Sequence, residues 1–217
     1  TGMYDSSWTF TISPAGQKLS YAAEPVSKTY GDQAFTNPFA EDSTSTAISY
    51  TSSEETVATV DSTGKVTIVG AGTTTITAKA KGTTNYQEAT ATYTLNVAKK
   101  EITVSGITAK DKYYDKTADA TLDYSGVQLD GKLGSDELGI TATGAFEDAN
   151  AGKGKIVEIT GLTLTGAAVG NYILLNSGQQ TSTTATIKKM PLKIVRANGI
   201  NDKDYDGDAG LSLVTVL

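Results

Sequence analysis

The sequence predicts an all-β protein built from tandem antiparallel β-sandwich modules of immunoglobulin-like size. Composition is the first reason. Thr occurs 35 times in 217 residues, beside 22 Gly and only 4 Pro, and a β-branched side chain suits a half-exposed pleated surface better than a helix. Patterning is the second: short runs alternate apolar and small polar residues with period two, and no stretch carries a sustained 3.6-residue apolar period. The third is a long internal repeat. "LSYAAEPVSKTYGD", "ITVSGITAKDKYYD" and "LKIVRANGINDKDYDG" share a β-like run followed by Lys and Tyr, and their tyrosines Tyr30, Tyr114 and Tyr205 lie 84 and 91 residues apart. A period of that length fits a sandwich of about 100 residues.

Along the chain, residues 1–16 read as a leading strand or the tail of an upstream module. "WTFTI" alternates well and Pro14-Ala15-Gly16 breaks it. Residues 17–98 form the first module. Within it "TVATV" and "KVTIV" are strands separated by the turn "DSTG" at 61–64, and "TTTITAKA" follows after "GAG" at 70–72. Residues 99–187 form the second. Its runs "KIVEITGLTLTG" and "NYILLN" read likewise, with Gly161 between the two halves of the former. Residues 188–217 read as the start of a truncated third module. The junctions are marked alike: "TATYTLNVAKK" ends at Lys100 and "TSTTATIKK" at Lys189, each preceded by an Asn-Tyr pair, Asn85-Tyr86 and Asn171-Tyr172.

Composition also excludes chemistry. With no Cys and no His, the chain cannot build Cys–His or Ser–His–Asp nucleophiles, imidazole or thiolate zinc sites, or disulfides. The net charge is −6, and both modules are acidic: five basic against eight acidic residues in 17–98, eight against eleven in 99–187. Such surfaces repel a phosphate backbone, so nucleic acid is not an expected partner. No run approaches the length of a membrane span, and no insertion into a membrane is expected of this segment. No signal peptide precedes Thr1, so an export signal was removed or the sequence starts inside a longer protein.

Four groups of residues could carry chemistry. "NDKDYDGD" (201–208) alternates Asp202, Asp204 and Asp206 before Gly207, as a helix-loop-helix calcium loop begins. Such a loop needs a bidentate carboxylate at its twelfth position, which here is Leu213, and no flanking helix is predicted. The segment is better explained as the third copy of the repeat, although an ion held at a module junction by Asp202–Asp208 stays open. The acidic pairs Glu54-Glu55, Asp136-Glu137 and Glu147-Asp148 could in principle serve glycosidic hydrolysis, but each sits in a turn-like stretch and reads as a solvated loop. Tyr30, Tyr114, Tyr205, Tyr86 and Tyr172 recur with the structural period, which favours packing over a sugar platform, while Trp8 lies outside the repeat as a core plug or a partner contact. The Lys99-Lys100 and Lys188-Lys189 pairs keep short linker strands solvated. A Lys–Asn isopeptide staple would need a buried carboxylate beside them. The expectation is therefore no catalytic, cofactor-binding or metal residue, and no cofactor.

Long stretches resemble known families. "YTSSEETVATVDSTGKVTIVGAGTTTITAKAKGTTNYQEATATYTLNVAKK" (50–100) resembles bacterial Ig-like domains of group 2, and "VSKTYGDQAFTNPF" is similar to related modules of bacterial adhesins. "KYYDKTADATLDYSGV", "TATGAFEDANAGKGKIVEITGLTLTGAAVGNYIL" and "TSTTATIKK" resemble the YDG repeat of bacterial haemagglutinin-like surface proteins. "KDYDGDA" carries the name-giving Tyr-Asp-Gly, whereas Lys116 stands where the second module would have Gly. The resemblance implies sandwich modules on a secreted or cell-surface bacterial protein, without catalytic residues. It implies a role as adhesive or spacer (stalk) segments in cell adhesion. The alternative is a module that binds carbohydrate, such as surface glycans, or host and cell-surface proteins, or that assists a secreted polysaccharide-degrading enzyme.

Overall fold

The computed structural model describes residues 10–191. Regular structure there is β-strand throughout, apart from one 3-10 turn at Val169–Asn171. Trp8, Tyr205, the Asp202–Asp208 segment and the third-module start from 192 onward lie outside the described residues. Of the leading segment, residues 10–14 form no strand, and Ala15 makes an isolated parallel bridge to Tyr86.

In the first module a four-stranded sheet runs in the order Val26–Thr29, Ala89–Ala98, Gly72–Ala80, Ile48–Ser52. A three-stranded sheet, Phe35–Thr36, Lys65–Ile68, Ala58–Val60, accompanies it, and an antiparallel pair joins Leu19–Tyr21 to Phe39–Asp42. The period-two pattern is expressed directly. Along Ala89–Ala98, Ala89, Ala91, Tyr93, Leu95 and Val97 are buried while the Thr residues between them face outward or are half-covered. Tyr93, Leu95 and Val97 meet Val57, Ala58, Val66 and Ile76 to make the core, each large one contributing about 1.5–3 kcal/mol by leaving water. The "DSTG" turn forms as the sequence predicts: Asp61 Oδ1 accepts from the Thr63 and Lys65 N–H groups, and Gly64 takes φ +79°.

The second module repeats the plan. Its five-stranded sheet runs Lys112–Tyr113, Ser182–Lys188, Gly152–Thr165, Gly139–Phe146, Asp119–Ala120. A three-stranded sheet, Gln128–Asp130, Lys100–Ser105, Tyr172–Leu174, and the pair Thr108–Ala109 with Leu122–Asp123 complete it. Buried Ile102, Val104, Ile107, Ile159 and Tyr172 form one cluster, and Phe146, Val157, Ala185 and Ile187 a second. One expectation changes. "KIVEITGLTLTG" belongs to a single strand of 14 residues rather than two runs broken at Gly161. Gly161, at φ +62°, lies where the register against Thr141–Thr143 slips by one, so it supports a bulge that the ladder passes through.

In both modules an opening strand lies parallel to the last strand. Val26–Thr29 pairs with Leu95–Ala98, and Lys112–Tyr113 with Ile187–Lys188. This shared closure puts Tyr30 and Tyr114 at the same place, the downstream foot of each sandwich.

Candidate functional site: the junction between the modules

Strand Ala89–Ala98 of the first module and strand Lys100–Ser105 of the second are separated by Lys99 alone. One residue leaves little freedom for a hinge, so the two ends must fit each other. The Tyr30 N–H donates to the Ala98 carbonyl at 2.9 Å, which holds Tyr30 at the foot of the first module. Its ring meets Tyr172 edge-on, with centroids 5.5 Å apart and planes at 84°, a favoured aromatic geometry. Tyr30 packs against the buried clusters of both modules.

The two tyrosine hydroxyls converge on one carboxylate. Tyr30 donates to Asp136 Oδ2 at 3.0 Å, and Tyr172 donates to the same oxygen at 2.5 Å. The Leu133 N–H donates to the Tyr172 hydroxyl at 3.0 Å, so Tyr172 also closes its own 133–136 turn. Burial raises the Tyr172 phenol to about 12, with the bond to Asp136 adding to the effect. Tyr30 is raised by the same causes in the same order. Gly31 makes room for the approach: at φ +91°, a Cβ there would come within 2.6 Å of Leu133 Cδ1. A second contact lies at the "GAG" turn, where the Ala71 N–H donates to Asn171 Oδ1 at 2.9 Å. The modules therefore touch at two separate points, which together resist rotation about the linker.

Asp136 is the residue that sequence reasoning misplaced. The expectation was a solvated loop. Instead Asp136 is half-buried and accepts a hydrogen bond from a side chain 106 positions away. A partner so distant in sequence leaves no local signal. Its neighbour Glu137 is exposed. The other acidic pairs remain in turns. Glu54 Oε1 accepts from the Thr56 hydroxyl at 2.6 Å, which holds its carboxyl below the usual range, and Glu55 is exposed. Glu147 and Asp148 lie 3.8 and 2.6 Å from the Lys155 ammonium, which is 9% exposed.

Of the recurring tyrosines, Tyr172 is 2% exposed and Tyr30 half-buried, while Tyr114 is 37% exposed. Tyr86 matches Tyr172 in role, since it bridges Ala15 as Tyr172 pairs with Lys100, both in parallel. Other aromatic rings serve the first core: Tyr21 packs edge-on against Tyr93 and tilted against Phe39. Beside the linker lysines, Lys188 pairs with the Asp111 carboxylate at 3.2 Å, and both side chains are about half exposed, so the dry surroundings an isopeptide needs are not met at that pair. Among the described residues no three acidic side chains gather into a metal-binding group, and no helix is long and apolar enough to cross a membrane.

Two family models match parts of the chain. Residues 97–184 match the YDG domain, and residues 43–83 match the intimin immunoglobulin-like domain. The chain thus carries an immunoglobulin-like domain followed by a YDG domain. No curated protein matches it. Solved structures similar to the chain include human protocadherin-24 EC1-2, at 12% identity and TM-score 0.34, covering 82% of this chain and 99% of that one. Another is the SusE-like surface located polysaccharide binding protein of the Bacteroides thetaiotaomicron heparin utilisation locus, at 11% identity and TM-score 0.29, covering 81% of this chain and 34% of that one. Drosophila N-cadherin EC1-3 follows at 16% identity and TM-score 0.22, covering 82% and 64%. At such scores none of them speaks for the role of this chain.

Proposed function

We propose that the two modules are a non-enzymatic, rigid spacer in an adhesive protein displayed on or secreted from a bacterial surface. The observation that carries this reading is the junction: a single linker residue, with Tyr30 and Tyr172 both bound to Asp136 and Asn171 bound to Ala71. A junction closed at two points transmits orientation from one sandwich to the next. A distal adhesive region would then be held away from the envelope at a set distance and angle. The intimin-type and YDG matches support the adhesion or binding class and the surface setting. The acidic surface and absence of Cys and His fit a mechanical rather than a catalytic part.

Small-angle X-ray scattering tests the reading. A rigid pair gives one end-to-end dimension that does not change with temperature below unfolding. Scattering that requires an ensemble of bent and straight pairs removes the spacer function.

A further inference from the structure

The downstream foot of the second module carries the same features that the first module uses at its junction. The Tyr114 N–H donates to the Lys188 carbonyl at 2.9 Å, as Tyr30 does to Ala98, and Tyr113 pairs with Lys188 as Thr29 pairs with Ala98. In this register Lys189 stands for Lys99 and Met190 for Lys100. At the first junction a hollow of about 480 Å³ is lined by Thr29, Ala98 and Lys99 together with Lys100, Glu101 and Gly131 of the following module. At the second foot a hollow of about 630 Å³ is lined by Tyr114, Asp115, Lys116, Asn150, Lys189 and Met190, of which Lys189 and Met190 are the counterparts of Lys99 and Lys100. Among the described residues nothing from a further module covers it. Of the apolar side chains lining it, Tyr114 is 37% exposed and Met190 57%.

We infer that this cleft is the docking face for a third module of the same kind, and that Tyr114 donates its hydroxyl there to an acidic side chain as Tyr30 does to Asp136. The inference rests on the array reading and adds a site to it. Two facts identify the occupant. The chain leaves the cleft at Met190, the counterpart of the residue that begins the next module's first strand. It then continues at Leu192 with "LKIVRANGINDKDYDG", which repeats the opening of the second module. One difference sets the detail of the fit. Asp115 stands where Gly31 admits Leu133, and Asp115 is engaged by Lys112 at 2.9 Å. The incoming module must therefore meet a neutralised ion pair where the second module meets bare backbone.

The test joins residues 1–190 to a second copy of residues 101–190, which presents Leu133, Asp136 and Tyr172 to the cleft in the native register. Because the chain lacks Cys, Ser49→Cys with Glu158→Cys reports on the first junction, and Glu158→Cys in both copies on the second, by spin-label distance measurement. The expected result is a narrow distribution at both junctions, with Tyr114→Ala losing the narrow distribution at the second alone. Asp115→Gly, which removes the side chain that Gly31 lacks, is run in parallel. A narrow first junction with a second that is broad in both the parent and Asp115→Gly proteins overturns the docking face and leaves the spacer reading intact. A narrow second junction indifferent to Tyr114→Ala overturns the role given to Tyr114. A broad first junction removes the spacer reading itself.

Discussion

Lys116 is the plainest case of a residue whose meaning needs the backbone. It occupies φ +72°, a left-handed conformation that costs an L-residue roughly 1–2 kcal/mol and glycine little. The departure from the YDG pattern is thus a glycine-favouring position filled by lysine. Lys116→Gly should raise the thermal stability of the second module by roughly 0.5–1 kcal/mol, after the entropy glycine loses on folding. A lower melting temperature would contradict this. Tyr93 offers a second test, since its hydroxyl is buried in the first core and meets no hydrogen-bond partner among the described residues. Removing an unsatisfied buried hydroxyl recovers up to ~1–3 kcal/mol, so Tyr93→Phe should be neutral or stabilising in chemical denaturation, whereas Leu95→Ala in the same core should cost about 2–5 kcal/mol.

The junction tyrosines carry a pH dependence of defined sign. A phenol whose folded-state value lies above its unfolded value of 10 contributes stability that is fully present below pH 10. That contribution is lost as pH rises through the folded value, about 12 for Tyr172. Contact between the modules should therefore weaken between pH 10 and 12. Tyr30→Phe, which lacks the titrating hydroxyl but keeps the ring, should reduce the pH dependence of the inter-module distance in that window. An unchanged alkaline profile in Tyr30→Phe would contradict a part for the Tyr30 hydroxyl in it.

Among the elements, strands were the most readable because each buries one face, and period two survives in the sequence as Ala91, Tyr93, Leu95 and Val97 alternating with Thr and Asn. The turn at Asp61–Gly64 was readable for a similar reason, since its chemistry lies within four residues. The strand Gly152–Thr165 was divided at Gly161 because a glycine at positive φ marks a turn and a bulge alike; only the partner strand tells them apart. The junction was half readable. Tyr30 and the Asn171-Tyr172 pair recur with the module period, so their structural role was visible. Asp136 was not, because its hydrogen bonds join positions 30, 136 and 172 through tertiary contact alone. Asn171→Ala should remove the bond to Ala71 and leave the Tyr30 contact in place. It should loosen the junction less than Asp136→Ala, which leaves two tyrosine hydroxyls without their common acceptor. Comparable loosening in the two variants, read from inter-module distances, would refute this ranking.

For the whole molecule, the consequence of these contacts is a fixed relation between an immunoglobulin-like and a YDG module. Each module supplies its own core, and neither core crosses the linker except at Tyr30, which touches both. The most direct measurement is the set of backbone residual dipolar couplings for both modules in weakly aligned medium. One alignment tensor should fit the first and second modules together, and two unequal tensors should be needed once Asp136→Ala releases the tyrosines. Unequal tensors in the unaltered chain would contradict the rigid junction and the spacer role built on it.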